Sequence, residues 1–569
     1  MQPTVEGLSR DERLRWLKFV CRGVCIAFAL VEVWSGRNYA DPDAVSYLDM
    51  SDALLRHHLG LLINPFWSPL YPFLIGVGTW LARPSAYWEF PLVHLVNFFI
   101  FLGALVSFEF LLRQVIDVLG GRSDQRDSNL DPLPVWTWYL LGYSLFGWST
   151  FVMVNGLRKV TPDLCVAAFV FLDAGLVLKL RAGSKRFHTF LLLGLTLGLG
   201  YLAKAIMFLM GFVFMGVAAL AGGGQRKTVL PFTAMLLVFS ALAAPLFIGI
   251  SKSAGQPTFG ESGTVNYALY VVGDRLPPFD FADSSPNLKH PVHRIYEHPS
   301  VYEFGQPFLS TYPLSFDHWY WYNGVKIRLN LRRQLQVIGE SLTVFYANLV
   351  LPMWGLIAGF FILLFMSPNP PQCLRRIARG WELLVMGAAA PALYTLVHVE
   401  PRYVGPFVVL VWLGLFSGIR LEKSRDSARL GTIATLAVSG SLAVLIVQFV
   451  FYHLAEPLPI LRGRGGTYYQ VAESPNKAGV RPGEAVAVVG PGWDGMFWAR
   501  LARVRIVAEI PPEDKTAFWL SGPSVINGVL EAISRLGVKA IVTHGQPESP
   551  DAQGWRKLGP TDYYAHLLP

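Results

Sequence analysis

Asn38-Tyr39-Ala40-Asp41-Pro42-Asp43-Ala44-Val45-Ser46-Tyr47-Leu48-Asp49-Met50 is the stretch on which the reading of this chain turns. Two carboxylates flank a proline, whose fixed φ stiffens the turn and sets their spacing. A helix is expected to follow over 44–55. An Asp in this place serves as an N-cap for that helix, as a general base toward a nearby nucleophile, or, with its neighbour, as a hard-oxygen ligand for a divalent cation. The local sequence leaves all three open, so the surroundings must decide.

The stretch lies just beyond an apolar run in a chain that is apolar throughout. Of 569 residues, 53% are hydrophobic and 15% charged, against about 25% charged in soluble proteins; the mean hydropathy is +0.39. A soluble multidomain enzyme is excluded. With 14% aromatic residues and four cysteines, so are disordered and disulfide-stapled chains. Cys21 and Cys25 share one helix face and are read as membrane packing. The class is a polytopic α-helical membrane protein. Eleven runs of spanning length are expected at 17–35, 90–112, 133–153, 160–178, 187–203, 205–221, 229–250, 341–366, 381–398, 403–419 and 430–452.

Sidedness follows from the basic residues. One set of loops carries Arg10, Arg13, Arg15 and Lys18, then Arg113, Arg122 and Arg126, Lys179, Arg181, Lys185 and Arg186, Arg226 and Lys227, Arg375, Arg376 and Arg379, and Arg420, Lys423, Arg425 and Arg429. The short loops of the opposite side carry fewer: Arg37, Arg56, Arg158, Lys159, Lys204 and Arg402. The bias puts residues 1–16 in the cytoplasm, a transmembrane domain at 17–452, and a C-terminal domain, 453–569, in the periplasm of a bacterial inner membrane. No small-residue cleavage site follows Phe28-Ala29-Leu30, so the first span reads as an uncleaved anchor. Residues 187–221 are basic at both ends, which forces a hairpin with Lys204 at its outer tip. The net charge of +9 therefore marks loops, and no nucleic-acid partner is expected.

Three outer pieces result: a first loop (36–89), a long loop (251–340) and the tail. The first loop contains Asn64-Pro65-Phe66-Trp67-Ser68-Pro69-Leu70-Tyr71-Pro72-Phe73-Leu74-Ile75-Gly76, an amphipathic segment expected along the membrane surface. The long loop is dense in rings: Tyr296, Tyr302, Phe304, Phe308, Tyr312, Phe316, Trp319, Tyr320, Trp321 and Tyr322. These suit a self-packed loop or a sugar contact. The tail reads as a small α/β domain, with strands 485–489, 505–510 and 540–543 and helices near 496–502 and 525–536. Its Val488-Val489-Gly490-Pro491-Gly492-Trp493-Asp494-Gly495 run, with Glu509 downstream, formally satisfies a dinucleotide fingerprint. An outward-facing tail argues against that cofactor, and a tight strand-to-helix turn accounts for the glycines. Trp493-Asp494-Gly495 also faintly resembles the Trp-Asp-x-Gly motif of oligosaccharyltransferases.

Four places, in order and all on the outer side, resemble the integral-membrane glycosyltransferases of the C-type fold. They are Asp43 with Tyr47 and the Pro-Leu-Tyr-Pro segment holding Tyr71; Thr161-Pro162-Asp163; Gly198-Leu199-Gly200-Tyr201-Leu202-Ala203-Lys204; and Glu400-Pro401-Arg402-Tyr403. Among these, the four places resemble those of the bacterial aminoarabinose transferases of lipid A and the dolichyl-phosphate-mannose protein O-mannosyltransferases. The resemblance implies a polyprenyl-phosphate-linked sugar as donor, inversion at the transferred carbon, and Asp43 as the base, with Asp41 and Asp163 as further acidic groups. Tyr47, Tyr71, Glu400 and Tyr403 fall in the same motifs and are candidate substrate contacts. One departure stands out: the aminoarabinose enzymes carry Glu-Lys before the Pro-Leu, where this chain has Phe66-Trp67-Ser68.

A leaving phosphate needs cations or oriented donors where its charge grows. Lys204, Arg402, Arg158 and Lys159 are the available cations, with Lys204 and Arg402 favoured because each lies in one of the four motifs; the alternative for all is snorkelling into headgroups. No metal-spacing histidine pair occurs, although His398 near Glu400 could complete a divalent-cation site with Asp43. The expected activity is thus an inverting transfer of a sugar from a polyprenyl phosphate to a periplasmic lipid, glycan or protein. The rival readings are a flippase or transporter for a lipid-linked sugar, which wants polar groups at mid-membrane, and a non-catalytic scaffold.

Overall fold

In the computed structural model residues 9–120, 130–183, 187–222, 226–273, 290, 292–304, 310–320, 328–455, 467–477, 479–547 and 554–569 are described. Phe308, Trp321 and Tyr322, and the basic residues Arg122, Arg126, Lys185 and Arg186, lie outside them.

Helix α1 (Arg10–Gly36) begins at a capping box in which the Ser9 hydroxyl accepts from Glu12 N–H and the Glu12 carboxylate from Ser9 N–H, satisfying two amides that a helix start leaves open. Helix α2 (Pro42–Leu55) starts with proline at its first position, and α3 (Leu70–Ala82) follows. The first half is completed by α4 (Glu89–Gln114), α5 (Val135–Gly147, prolonged by a π turn over Trp148–Val154), α6 (Asp163–Arg181), α7 (Phe187–Ala203), α8 (Ile206–Ala221) and α9 (Arg226–Ala254). After the short α10 (Ser262–Tyr267) and α11 (Pro313–Phe316) come α12 (Leu331–Phe345), α13 (Trp354–Phe365), α14 (Pro370–Arg379), α15 (Trp381–Thr395), α16 (Pro401–Ser417) and α17 (Arg425–Ala455).

Each expected span coincides with a helix or, in one case, with two. Among the described residues three helices are long and apolar enough to cross a membrane on length and composition together: Ala86–Val118, Thr228–Ala254 and Arg425–Leu454. The run expected as one span over 341–366 is a pair of helices, Leu331–Val350 and Trp354–Phe365, bent by 74°. The break falls at Pro352, which has no amide to continue the ladder. Helix α7 packs so tightly on α9 that a Cβ on Gly194 would run into the Met235 carbonyl oxygen, and Gly387 brings α15 equally close to α16, with Phe407 O 2.7 Å from its virtual Cβ. The buried Asp173 lies mid-way along α6 and is bonded to the Thr196 hydroxyl of α7.

Two sheets form among the described residues. One is the small pair β1 (Leu130–Pro132) with β4 (Arg420–Glu422); the other has seven strands in the order β2-β3-β6-β5-β7-β9-β8. Its centre is parallel: β5 (Ala485–Val489) lies between β6 (Arg505–Ile510) and β7 (Val538–His544). All three expected tail strands are there, with β8 (Trp555–Lys557) and β9 (Tyr563–Leu567) added at one edge. The other edge comes from elsewhere in the chain. Strands β2 (His293–Tyr296) and β3 (Val301–Glu303) belong to the long loop, and Tyr302 pairs with Glu509 across the seam. The α/β module is therefore composite. Helix α18 (Thr467–Lys477) precedes β5; α19 (Gly492–Ala502) links β5 to β6, and α20 (Pro512–Leu520) and α21 (Pro523–Ser534) link β6 to β7.

Side-chain alternation along β5 divides the sheet's two faces. Val486 and Val488, with Met496 and Trp498 of α19, join the core of the helical body, whereas Ala485, Ala487 and Val489 pack under Phe518, Trp519 and Val529 of α20 and α21.

Candidate active site

Helix α2 presents its first turn to a cavity of about 790 Å3, and its neighbours in that cavity come from widely separated segments. Asp43 and Tyr47 are contributed by α2, Asp163 by the start of α6, Lys204 by the α7–α8 tip, and Glu400, Arg402 and Tyr403 by the start of α16. The cause is local in each case. A proline or a tight turn ends or starts a helix there (Pro42, Pro162, Pro401, and the α7–α8 turn), so a polar residue sits at the end of an otherwise apolar rod.

Arg402 is the hub. Its Nη1 donates to Asp43 Oδ2 at 3.1 Å and stands 3.8 Å from Asp163 Oδ2, while its Nε donates to Glu400 Oε2 at 2.6 Å. Lys204 Nζ donates to Asp163 Oδ1 and sits 3.9 Å above the Tyr403 ring, a cation–π arrangement. Burial pushes the Lys204 ammonium down, and Asp163 opposes it. Burial would push Glu400 up, but hydrogen bonding from His398 and the Arg402 guanidinium hold its carboxyl well below the usual range. His398 lies 3.8 Å from Glu400 and stacks on Tyr270 at 3.9 Å between ring centres. Three carboxylates thus share two cations in a cavity whose other walls are largely apolar: Phe66, Ile206, Leu209, Leu269, Leu393. Among the described residues no group of three or more His, Cys, Asp or Glu side chains is placed to hold a metal ion. Arg402 bonds or approaches each of the three carboxylates.

The remaining expected residues stand outside the cavity lining. Asp41 is 7% exposed and accepts from Val160 N–H at 3.0 Å, which fastens α2 to the segment before α6; burial and the Asp43 charge push its carboxyl up to about 6. The capping alternative fails in its simple form, since the Asp41 side chain makes no cap hydrogen bond to α2. Tyr71 is fully buried, donates to Asn97 Oδ1 at 2.7 Å and packs edge-on against Tyr47, with Trp67 on the other side of that ring. It supports the site from behind. Arg158 is buried, its guanidinium 5.2 Å from the centre of the Tyr39 ring, and Lys159 contributes its carbonyl to Asn97 Nδ2.

Several lining residues lie outside the four places that carried the resemblance. Tyr312 and Ser315 come from the long loop, Ser262, Asn266 and Tyr270 from the α10 region, and Trp493, Asp494 and Met496 from the first turns of α19. The glycines before α19 are there for close approach. Gly490 adopts φ +103°, and a Cβ on Gly492 would lie 2.5 Å from Glu509 Oε2 and 2.6 Å from the Tyr312 ring. Glu509, the acidic residue of the dinucleotide fingerprint, is buried and accepts from Tyr312 Oη–H at 2.9 Å and from Gly492 N–H. It has no free edge for a ribose. Only the presence of Trp493-Asp494 on a strand-to-helix turn could have pointed to this wall.

No protein-family model and no curated protein matches the chain by sequence. Its backbone is similar to the crystal structure of ArnT from Cupriavidus metallidurans bound to undecaprenyl phosphate, with a TM-score of 0.53 and 10% identity over 96% of this chain and 98% of that one. The apo state of the same protein gives 0.52 and 12% over 95% and 97%. An oligosaccharyltransferase from Archaeoglobus fulgidus, tethered with an acceptor peptide, is 13% identical over 92% of this chain and 69% of that one, with a TM-score of 0.43. Apolar helices, the outlying α/β module and the cavity between them accordingly make up an integral membrane protein with the C-type glycosyltransferase fold.

Proposed function

We propose that the protein is an inverting glycosyltransferase that moves a sugar from a polyprenyl phosphate to a periplasmic acceptor. The observation that carries this reading is the meeting of Asp43, Asp163 and Glu400 with Lys204 and Arg402 in one cavity with long apolar walls. That ArnT holds undecaprenyl phosphate in a backbone of the same fold supports the donor class. Asp43, about one-third exposed, accepts the proton of the acceptor's hydroxyl or amine as that atom attacks the anomeric carbon. The new bond forms there, the bond from that carbon to the phosphate oxygen breaks, and the bond's electron pair leaves on the phosphate. Lys204 and Arg402 stabilise that charge. Arg402 donates to Asp43, and an arriving phosphate competes with that carboxylate for the guanidinium, so donor binding and the placing of Asp43 share one residue.

The test uses purified protein in detergent, a panel of radiolabelled undecaprenyl-phosphate sugars and membrane extract as acceptor source. Wild type should release lipid phosphate and Asp43→Asn should not. Transfer by Asp43→Asn at the wild-type rate would sink the mechanism, and lipid binding without release from any donor would favour the flippase reading.

A further inference from the structure

A second cleft, of about 400 Å3, opens where the far end of α2 meets the α/β module. Its floor is a closed charge network. Arg500 Nη1 lies 2.9 Å from Asp49 Oδ1 and 2.8 Å from Asp52 Oδ2, Nη2 lies 2.7 Å from Glu89 Oε1, and Arg503 bonds Asp52 and Glu89 at 3.3 and 2.9 Å. Two more arginines, Arg56 and Arg505, line the rim. Four guanidiniums thus face three carboxylates, and the excess charge is at the mouth.

The rim groups are under-used. The Arg56 side chain is exposed and makes no hydrogen bond or ion pair among the described residues, and Arg505 donates Nε to Gly483 O at 3.1 Å. Ser310, 3% exposed, lines the cleft with a hydroxyl that has no hydrogen-bond partner among the described residues. A buried hydroxyl without a partner is costly to leave unsatisfied, and two guanidiniums lining the same cleft select a tetrahedral oxyanion, to which they present paired N–H donors.

We propose that this cleft is an anion site, separate from the catalytic cavity, which takes a phosphate-type oxyanion between Arg56, Arg505 and Ser310. The site is not isolated from the chemistry. The segment around 310–316 is a shared wall, with Ser310, Thr311 and Phe316 facing the cleft and Tyr312, Leu314 and Ser315 the cavity. Helix α2 runs from Asp43 in the cavity to Arg56 in the cleft, about 20 Å away at 1.5 Å per residue. The oxyanion comes from a lipid headgroup or from a soluble phosphorylated glycan, and both present the same group to the site.

Calorimetric titration of the full-length protein with inorganic pyrophosphate in neutral detergent tests this without reference to turnover. A Lys204→Ala background weakens anion binding in the catalytic cavity. In that background pyrophosphate should bind, Arg56→Gln/Arg505→Gln should weaken it at least about tenfold, the loss of one charge-assisted contact, and Arg56→Lys/Arg505→Lys should recover most of it. Equal affinity with the Gln pair, or no binding in the Lys204→Ala background, overturns the site. Both rim side chains lie outside the core, and an unchanged melting temperature checks that the variants fold. Repeating the titration in nanodiscs assigns the source: phosphatidylglycerol abolishes the pyrophosphate signal if the natural ligand is a headgroup, and leaves it as in phosphatidylcholine if the ligand is soluble.

Discussion

Single residues in this protein are set by what they are buried with. Glu509 shows it best. Burial, with small contributions from Glu513 and Asp494, pushes its carboxyl up to about 8 against the opposing hydrogen bonds from Tyr312 and Gly492. The folded state then holds a proton that the unfolded chain loses near pH 4.5, so the stability this group contributes is full below that pH and is lost as pH rises toward 8. Glu509→Gln keeps the acceptor for Tyr312 and removes this titration; its melting temperature should fall less between pH 5 and 8 than that of wild type, and should exceed wild type at pH 8. In the cavity, Lys204→Ala should weaken undecaprenyl-phosphate binding about tenfold, the equivalent of 1.4 kcal/mol, measured by lipid titration in detergent; unchanged binding would place the leaving group elsewhere. The polar residues of this site stood out in the sequence because an Asp or Arg beside a Pro at the end of an apolar run, or a Lys at the tip of an apolar hairpin, has few structural reasons to be there. Tyr270 did not, and Tyr312 and Trp493 stood out only within a ring-dense loop and a Trp-Asp-Gly run, because an aromatic residue is equally at home in any core and its place depends on which segments dock.

At the level of elements, the helices were legible from hydropathy and their ends from prolines, because both signals are local. What hydropathy misjudged was continuity: 341–366 is uniformly apolar, yet Pro352 breaks it into two rods at 74°. Interhelix distance was equally hidden, since a glycine in an apolar run looks like any other small residue. Gly194 at the α7–α9 crossing is such a place, and Gly194→Ala should cost about 1–3 kcal/mol by overpacking, seen as a lower melting temperature, whereas Gly103, with nothing near its virtual Cβ, should tolerate alanine. Helix α19 is joined to α2 through Arg500, whose partners Asp49 and Glu89 are buried and Asp52 part-buried. Arg500→Ala leaves Asp49 without its cation and Asp52 and Glu89 with Arg503 alone, and should destabilise by about 3 kcal/mol. Denaturant unfolding followed by Trp fluorescence would measure it, and a loss under about 1 kcal/mol would mean that water replaces the guanidinium.

For the whole molecule, the tail's three parallel strands were readable from five-residue apolar runs, while their edge partners were not, because β2 and β3 lie some two hundred positions earlier and are polar on one face. Deleting the chain from Ala455 onward should therefore abolish sugar transfer and also destabilise the helical body, since it removes Arg500 from α2, Glu509 from Tyr312, and Trp493 and Asp494 from the cavity. A truncated protein with wild-type transfer would show the module to be a passenger. The composite sheet also has a consequence in time. Strand β3 has no partner in β6 until residue 510 has been made, and at roughly 5–20 residues per second that leaves the long loop waiting for about ten to forty seconds after its own synthesis. During that interval one wall of the cavity does not exist. A nascent chain with all its apolar helices in place is still unable to enclose a substrate, and it acquires that ability in one late step, when the sheet closes.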